Sequence, residues 1–157
     1  MRTVLPLIVV TTACWANSTF GTWKMNAARS TFAGGTQPKS LIVRIEPHAK
    51  CEVFTLDRVE SDGRTVSSST LLHFDGAPRE FEDFGCSGTQ SSRRLDSRTV
   101  EIRRKCAGGN GIWFVRQSTE QSKELIIEIT EKRRGGPNLE WRVVLEKQEI
   151  KEQQEKK

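Results

Sequence analysis

The residue types that could perform catalysis are few in this sequence and are not grouped. Ser-His-Asp catalysis needs a positioned imidazole. His48 lies in a Pro-containing turn, and His73 lies in a predicted strand beside Phe74, so each is expected to be an ordinary surface or packed histidine. Glu80 and Glu82 share a face only because strand side chains repeat every two residues, which indicates a solvated rim. The sequence predicts a protein that is not an enzyme, unless His73 lies beside a carboxylate in a cleft.

Metal and cofactor sites are not indicated either. A zinc site needs ligand pairs at short spacing, such as C-x-x-C, and no pair of cysteines or histidines in the mature chain provides one. The Gly-rich run Gly108-Gly109-Asn110-Gly111 lacks the Lys-Ser/Thr of a phosphate-binding loop and a following helix. It is typical of a hairpin turn. We expect no metal and no cofactor.

A cluster of basic residues lies between Arg93 and Arg134. Nucleic-acid binding would need exposed aromatic side chains among the bases, but Trp113 and Phe114 lie in an apolar strand, so nucleic acid is not an expected partner. The cluster indicates a solvated face or a site for an anionic partner. Arg116 shares the face of Phe114 and either points inward, toward a ligand carboxylate, or lies at the rim. The eleven bases, set against six acids, are Arg93, Arg94, Arg98, Arg103, Arg104, Lys105, Arg116, Lys123, Lys132, Arg133 and Arg134.

The N-terminal residues 1–16 have the pattern of a secretory signal peptide. A basic start at Arg2 precedes the apolar stretch 4–10, and small residues stand before a cleavage point after Ala16. A lipoprotein anchored through Cys14 is the minority alternative. No apolar run of about 18 residues is present, so a multi-span membrane protein is excluded. We expect a secreted or periplasmic domain over 17–148 and a polar, disordered tail over 149–157.

Cysteine positions agree with export. With Cys14 removed, three cysteines remain, so at most one intrachain disulfide can form. The strands on either side of Asp96-Ser97-Arg98 form a predicted hairpin in which paired residue numbers sum to about 193. Cys86 and Cys106 sum to 192, so they are predicted to form a disulfide at the open end of the hairpin. Cys51 is then expected to be a small buried thiol.

The remaining chain consists of short β-prone runs separated by Gly, Asp and Pro turns. Such strands form a sandwich or a closed barrel, and a meander with short links favours closure, because closure leaves no exposed edge. We therefore predict an all-β, up-and-down antiparallel barrel of about 8 to 10 strands. The predicted strands are Gly21–Met25, Leu41–Glu46, Cys51–Val59, Thr65–Phe74, Arg79–Asp83, Gln90–Leu95, Thr99–Lys105, Ile112–Ser118, Glu124–Glu131 and Leu139–Lys147.

The segment Gly21-Thr22-Trp23-Lys24-Met25-Asn26 is similar to the G-x-W opening of lipocalins and fatty-acid-binding proteins, the calycin group. The chain from Phe20 to Gln148 resembles small secreted bacterial lipocalin-like proteins, whose pattern continues with Ser-x-Phe, Y-D-G, R-x-D-x-x-T-V-E and a final E-K. The cysteine pair departs from that pattern, and 26–40 is too short for the helical lid of fatty-acid-binding proteins. The matching residues are Ser30, Phe32, Phe74-Asp75-Gly76, Arg94, Asp96, Thr99, Val100, Glu101 and Glu146-Lys147.

The resemblance implies roles for three residues and a function. After Gly21, Trp23 would plug the closed end of the barrel, covered by a cation from the last strand, for which Arg142 is the candidate. The expected function is non-catalytic binding of a small hydrophobic or amphipathic ligand. The alternative is a barrel with a filled core that acts as an envelope interaction or inhibitor protein through its basic loops. The candidate interior residues are Phe54, Leu56, Leu72, Phe74, Phe114, Arg116 and Ile127.

Overall fold

The computed structural model describes residues 19–34, 36–83, 86–119 and 123–149. The predicted signal peptide, with Cys14, lies outside the described residues, as does the predicted tail from residue 150 onward. Within the described part, the chain is almost entirely β-structure, and none of its helices is long and apolar enough to cross a membrane.

The described part of the chain has eleven strands, which correspond to the ten predicted ones and a short strand, Thr31–Phe32, that was not predicted from the sequence. The one helical element in the described part is a short 3-10 turn, Ala27–Arg29, so the described part of 26–40 holds no helical pair. The strands are β1 Gly21–Met25, β2 Thr31–Phe32, β3 Ser40–His48, β4 Cys51–Val59, β5 Thr65–Leu72, β6 Arg79–Asp83, β7 Cys86–Arg94, β8 Thr99–Cys106, β9 Gly111–Ser118, β10 Glu124–Lys132 and β11 Leu139–Lys147.

The strands form a nearly closed antiparallel barrel of ten strands. Strands β3 to β5 and β6 to β11 each pair with the next strand in the chain, β1 pairs with β3 and β11, and the short β2 adds to β11, in the order β5-β4-β3-β1-β11-β10-β9-β8-β7-β6. The prediction of a barrel is confirmed, but its complete closure is not. Among the described residues, no backbone ladder joins β5 to β6, and side chains bridge this seam instead: Gln90 Nε2 donates to Thr70 Oγ1 at 2.8 Å, and Ser68 Oγ donates to Asp83 Oδ2.

The core lies inside the barrel and is built from one face of each strand. Leu41, Val43 and Ile45 alternate with exposed or half-exposed residues along β3. Their partners across the ladder to β4 are Arg58, Leu56 and Phe54. Residues paired across a ladder share a face, so the registers identify every inward position. The buried apolar cluster is Trp23, Met25, Leu41, Val43, Ile45, Phe54, Leu72, Val100, Ile102, Leu125, Ile127, Val143 and Leu145.

The β7–β8 hairpin carries the predicted disulfide in a register that differs by one residue from the predicted one. Arg94 pairs with Val100, so paired numbers sum to 194. The turn is longer because Asp96 Oδ1 accepts hydrogen bonds from the backbone amides of Arg98 and Thr99 at 2.7 and 2.8 Å. Cys86 and Cys106 are nevertheless bonded, with their Cα atoms 5.0 Å apart. The backbones approach closely at Gly88, where an added Cβ would lie 1.9 Å from the carbonyl oxygen of Lys105.

The expectation of a free thiol at Cys51 is wrong. Cys51 is disulfide-bonded, and the described part of the chain has no free cysteine. Its partner lies outside the described residues. The expectation followed from counting three cysteines after cleavage at Ala16, whereas the whole chain has four, an even number.

Trp23 is fully buried at one end of the barrel, but its cation is not Arg142. The ammonium of Lys147 lies 5.2 Å from the centre of the Trp23 ring. Arg142 points outward, 46% exposed, with its Nε 3.9 Å from Glu128. The reason is strand parity: Lys147 shares the inward face of Val143 and Leu145, and Arg142 alternates with them. Gly21 has a φ of 132°, and a Cβ there would lie 3.2 Å from Lys147 Cε.

We expect Lys147→Gln to lower the free energy of unfolding by about 0.5–1 kcal/mol, because it removes a cation from the face of the Trp23 indole. Arg142→Gln is the matched control on the same strand, and it should change stability by less than about 0.5 kcal/mol. Urea unfolding followed by tryptophan fluorescence measures both. Equal effects of the two substitutions would contradict the assignment of Lys147.

Candidate ligand cavity

A cavity of 440 Å³ lies at the end of the barrel where β3 and β11 begin; we call it the mouth cavity. Most of its wall is apolar, and a few charged side chains project into it. Since Trp23 pairs with the last residue of β11, Trp23 lies toward the opposite end. The lining residues are Phe32, Ala33, Gly34, Thr36, Pro38, Leu41, Arg58, Glu60, Arg104, Ile112, Phe114, Ile129, Glu131, Arg133, Leu139, Trp141 and Val143.

The charged groups at the edge of the mouth cavity are paired with one another. Arg58 Nη2 lies 2.5 Å from Glu60 Oε1, and Arg133 Nε lies 3.2 Å from Glu131 Oε1. Both pairs are partly exposed, so each contributes little to stability. Arg104 differs from them, because it is only 7% exposed and no carboxylate lies within 3.5 Å of it among the described residues.

Arg104 is held in place by neutral and aromatic groups. Its Nε donates to Gln90 Oε1 at 3.0 Å. Its guanidinium lies 4.0 Å from the centre of the Phe81 ring and 4.8 Å from that of Phe114. Asp83 Oδ2 is 3.8 Å from Nη1, beyond hydrogen-bond distance. Burial lowers the pKa of Arg104 to about 10, although Asp83 partly opposes the shift.

The other end of the interior, which we call the floor, is filled by Glu52, Arg116 and Phe54. Arg116 Nη1 donates to Glu52 Oε1 at 2.5 Å, and the two side chains are 3% and 1% exposed. The guanidinium also lies 5.7 Å from the centre of the Phe54 ring. Glu52 Oε2 has no hydrogen-bond partner among the described residues. Arg116 is therefore inward, in agreement with one of the two interpretations of the sequence, but a carboxylate of its own chain occupies it.

The predicted apolar interior residues belong to the core or pack against it, yet only one of them lines the mouth cavity. Phe54, Leu72 and Ile127 belong to the buried core. Leu56, Phe74 and Phe114 pack against that core and are partly buried. Phe114 is the one predicted residue among those that line the mouth cavity, so ligand contact by the other predicted positions remains a prediction.

The basic cluster does not form one surface. Arg104 and Arg116 point into the barrel, and Arg94 lies 4.8 Å from the centre of the Phe74 ring. On the outer face, Arg93 and Arg103 donate to the two oxygens of Glu101 at 2.6 and 3.0 Å. The prediction of a solvated face therefore holds for only part of the basic cluster.

Glu101 is only 4% exposed although it is on the outside of the barrel. Trp113 Nε1 donates to it at 3.0 Å, and the Arg103 guanidinium lies 5.5 Å from the centre of the Trp113 ring. Burial opposes ionisation of this carboxyl, but hydrogen bonds from Arg103 and Arg93 outweigh burial and hold its pKa below the usual value. These contacts make the group a structural cluster of the outer wall.

His73 lines a second pocket, of 170 Å³, together with Glu80 and Arg79. Burial and the charge of Arg79 lower its pKa. The nearby carboxylate of Asp75 is engaged by Arg79, at 2.6 and 2.8 Å, and no hydrogen bond joins the imidazole to a carboxylate among the described residues. The same part of the chain has no cluster of three His, Cys, Asp or Glu side chains suited to a metal. Within the described residues, the base and orienting group of nucleophilic catalysis are not assembled around this histidine.

Known structures share this barrel. A fatty-acid-binding protein of Schistosoma mansoni, solved with arachidonic acid, matches with a TM-score of 0.55 and 9% identity over 85% of this chain and 98% of its own. An ileal bile-acid-binding protein of zebrafish, solved with cholic acid, matches with a TM-score of 0.53 and 11% identity over 84% and 100%. The fold is a calycin β-barrel. No protein-family model matches the sequence, and no curated protein matches it.

Sequence reasoning missed the most distinctive residue of the calycin barrel's mouth cavity. Arg104 was visible only as one of eleven bases. Strand parity could have singled it out, because Val100, Ile102 and Arg104 share one face of β8 while Arg103 and Lys105 share the other. The same argument places Glu52 on the inward face with Phe54 and Leu56. A charged residue that stands at the apolar positions of an alternating strand is thus the sequence signal of a polar group inside the barrel.

Proposed function

We propose that this protein is a non-catalytic carrier that binds a small hydrophobic or amphipathic molecule inside its barrel. The observation that carries the proposal is the mouth cavity. Its 440 Å³ lies within the range of about 300–1,000 Å³ that is usual for small-molecule sites, and its wall is apolar with few polar groups. Two proteins of the same fold, which were solved with arachidonic acid and cholic acid, support this assignment.

We propose further that the carrier is exported, as small secreted bacterial lipocalin-like proteins are. The bond between Cys86 and Cys106 supports export, because disulfides persist in oxidising compartments. The signal-like residues 1–16 support it from the sequence, whereas the disulfide bond of Cys51 does not, because the fourth cysteine of the sequence, Cys14, would be removed with that leader. Mass spectrometry of the protein from its native host tests this part, since it reports the mature N-terminus and the disulfide mass together. An intact leader on the mature protein would contradict it.

The alternative, an envelope interaction or inhibitor protein with a filled core, has weaker support. A solid interior would favour it, but beside the buried core the barrel keeps the mouth cavity of 440 Å³. Its anionic partner would need a basic surface, whereas Arg104 and Arg116 point inward and Arg93 and Arg103 are engaged by Glu101.

Binding of N-phenyl-1-naphthylamine, a neutral probe that fluoresces in apolar surroundings, tests the carrier function. We expect saturable binding to the full chain. Ile129→Trp places an indole in the mouth cavity and should weaken binding at least about tenfold. Glu128→Trp is the control, because Glu128 is exposed on the outward face of the same strand. A wild-type protein that fails to bind the probe, or equal binding by both variants, would contradict the proposal.

A further inference from the structure

The Gly-rich turn between β8 and β9 contains a reactive pair of residues that the carrier function does not use. Asn110 is the last residue of the turn, and Gly111 is the first residue of β9. Glycine has no Cβ, so its backbone nitrogen can approach a neighbouring side-chain amide without obstruction. Asn110 is exposed, so water has access to that amide. The chemistry of this pair does not depend on the proposed function.

The nucleophile of the pair is the backbone nitrogen of Gly111. The amide of Cys106 donates to the carbonyl oxygen of Asn110 at 2.9 Å, so this carbonyl points toward β8. A trans peptide unit is planar, and the N–H of Gly111 in the same unit therefore points away from β8. On its other side, Gly111 is opposite Lys132, in the terminal pair of the β9–β10 ladder. Movement of this nitrogen therefore disturbs only the end of one ladder.

The electrophile is the side-chain amide of Asn110, and Arg134 activates it. The backbone amide of Arg134 donates to Asn110 Oδ1 at 3.2 Å. Attack at Cγ moves negative charge onto this oxygen, and a donor already aimed at it stabilises that charge. The Arg134 side chain lies over the same turn, since a Cβ at Gly109 would lie 3.4 Å from Arg134 Cδ and 4.0 Å from its Nη1. Its positive charge favours loss of the proton from the attacking nitrogen.

Two other asparagines lie in the described part of the chain, and neither has these features. Asn26 is followed by an alanine, and its Nδ2 is held by Glu146 Oε1 at 2.7 Å. Asn138 is followed by Leu139, whose side chain obstructs the approach of the nitrogen. Of these three asparagines, the one in the β8–β9 turn is therefore expected to react first.

We propose that Asn110 is a site of spontaneous deamidation. The Gly111 nitrogen loses its proton and forms a bond to Asn110 Cγ. The bond from Cγ to Nδ2 then breaks, Nδ2 takes up a proton and leaves as ammonia, and a cyclic succinimide remains. Water opens this ring at either of its two carbonyl carbons, which gives aspartate or isoaspartate at position 110. One water molecule is consumed for each ammonia released, and no oxidant or reductant is required.

The modification places a negative charge at the rim of the mouth cavity. Ile112 and Arg133, which are close in sequence to Asn110 and Arg134, line that cavity. The new carboxylate replaces a neutral acceptor for the Arg134 amide, and a charged acceptor makes the stronger hydrogen bond. The isoaspartate product also lengthens the main chain by one carbon atom where β9 begins.

Incubation of the full chain at pH 8, followed by peptide mass spectrometry, tests the inference. We expect the Asn110 peptide to convert before those of Asn26 and Asn138. Gly111→Ala should slow the conversion at least about tenfold, because it adds the obstructing Cβ. The fold tolerates this substitution, since the Cβ would lie 3.5 Å from the carbonyl oxygen of Arg104, an ordinary contact. Gly108→Ala is the control in the same turn, where a Cβ meets no atom within 4 Å, and it should leave the rate unchanged.

A second pair of variants tests the role of Arg134. Arg134→Gln should slow the conversion by roughly two- to fivefold at low ionic strength, and added salt should reduce the difference. Arg133→Gln is the control, because Arg133 is paired with Glu131 at 3.2 Å, and it should have a smaller effect. Circular dichroism verifies that each variant is folded.

Three results would overturn the inference. The first is an Asn110 peptide that stays unmodified while either of the other two asparagines converts. The second is an equal rate in the wild type and Gly111→Ala. The third is an equal effect of Gly108→Ala and Gly111→Ala. Equal rates in the wild type and Arg134→Gln would overturn the activating role of Arg134.

Discussion

Glu52→Ala is expected to lower the free energy of unfolding by about 3–5 kcal/mol, because it leaves the guanidinium of Arg116 buried without its carboxylate. Both side chains are almost inaccessible to solvent, and Glu52 Oε1 is the acceptor for Arg116 at 2.5 Å. Water cannot replace the lost partner without opening the floor. Urea unfolding monitored by circular dichroism measures the change.

The double variant Glu52→Leu/Arg116→Met separates the loss of the pair from the creation of an isolated charge. Buried ion pairs replaced by apolar residues of similar volume are often neutral or more stable. In this barrel Glu52 Oε2 has no hydrogen-bond partner among the described residues, so the pair is incompletely compensated. We expect the double variant to match or exceed the wild type. A single variant that loses less than about 1 kcal/mol would show that solvent reaches the floor.

Replacing both Cys86 and Cys106 by Ala should lower stability by about 3 kcal/mol, since the bond closes a loop across a sequence separation of 20 residues. The bond joins β7 to β8 beside Asp83, where β6 ends at the seam. Urea unfolding of both proteins without reductant measures the difference and leaves the bond of Cys51 intact. A loss below about 1 kcal/mol would mean that residual structure already restricts this hairpin in the unfolded chain, so that the disulfide restricts it little further.

The strands could be predicted from the sequence because alternation along a half-buried strand is a local pattern. The runs Glu124–Glu131 and Leu139–Lys147 differ from β10 and β11 by one residue at most. Pairing of the first and last strands followed from the meander. The hairpin register was off by one residue because the hydrogen bonds of Asp96 extend the turn, and spacing alone does not show how a side chain caps a turn.

The site was harder to predict than the fold, since it depends on which inward charges find partners. Parity could place Arg116 and Arg104 inside. Parity could not show that Glu52, 64 residues away in sequence, neutralises Arg116, or that Arg104 lies between two rings from different strands. Such facts come from the three-dimensional arrangement of the strands.

The absence of a ladder between β5 and β6 in the described part of the chain makes this line of the wall mechanically distinct from the paired strands around it. Across it, the hydrogen bonds from Ser68 to Asp83 and from Gln90 to Thr70 join side chains only. If β5 and β6 move apart, these few side-chain hydrogen bonds are replaced by hydrogen bonds to water, and the backbone ladders on both sides stay intact. The circumference of the barrel can therefore change at this line, and amide protons at this margin should exchange with solvent sooner than those of the interior ladders.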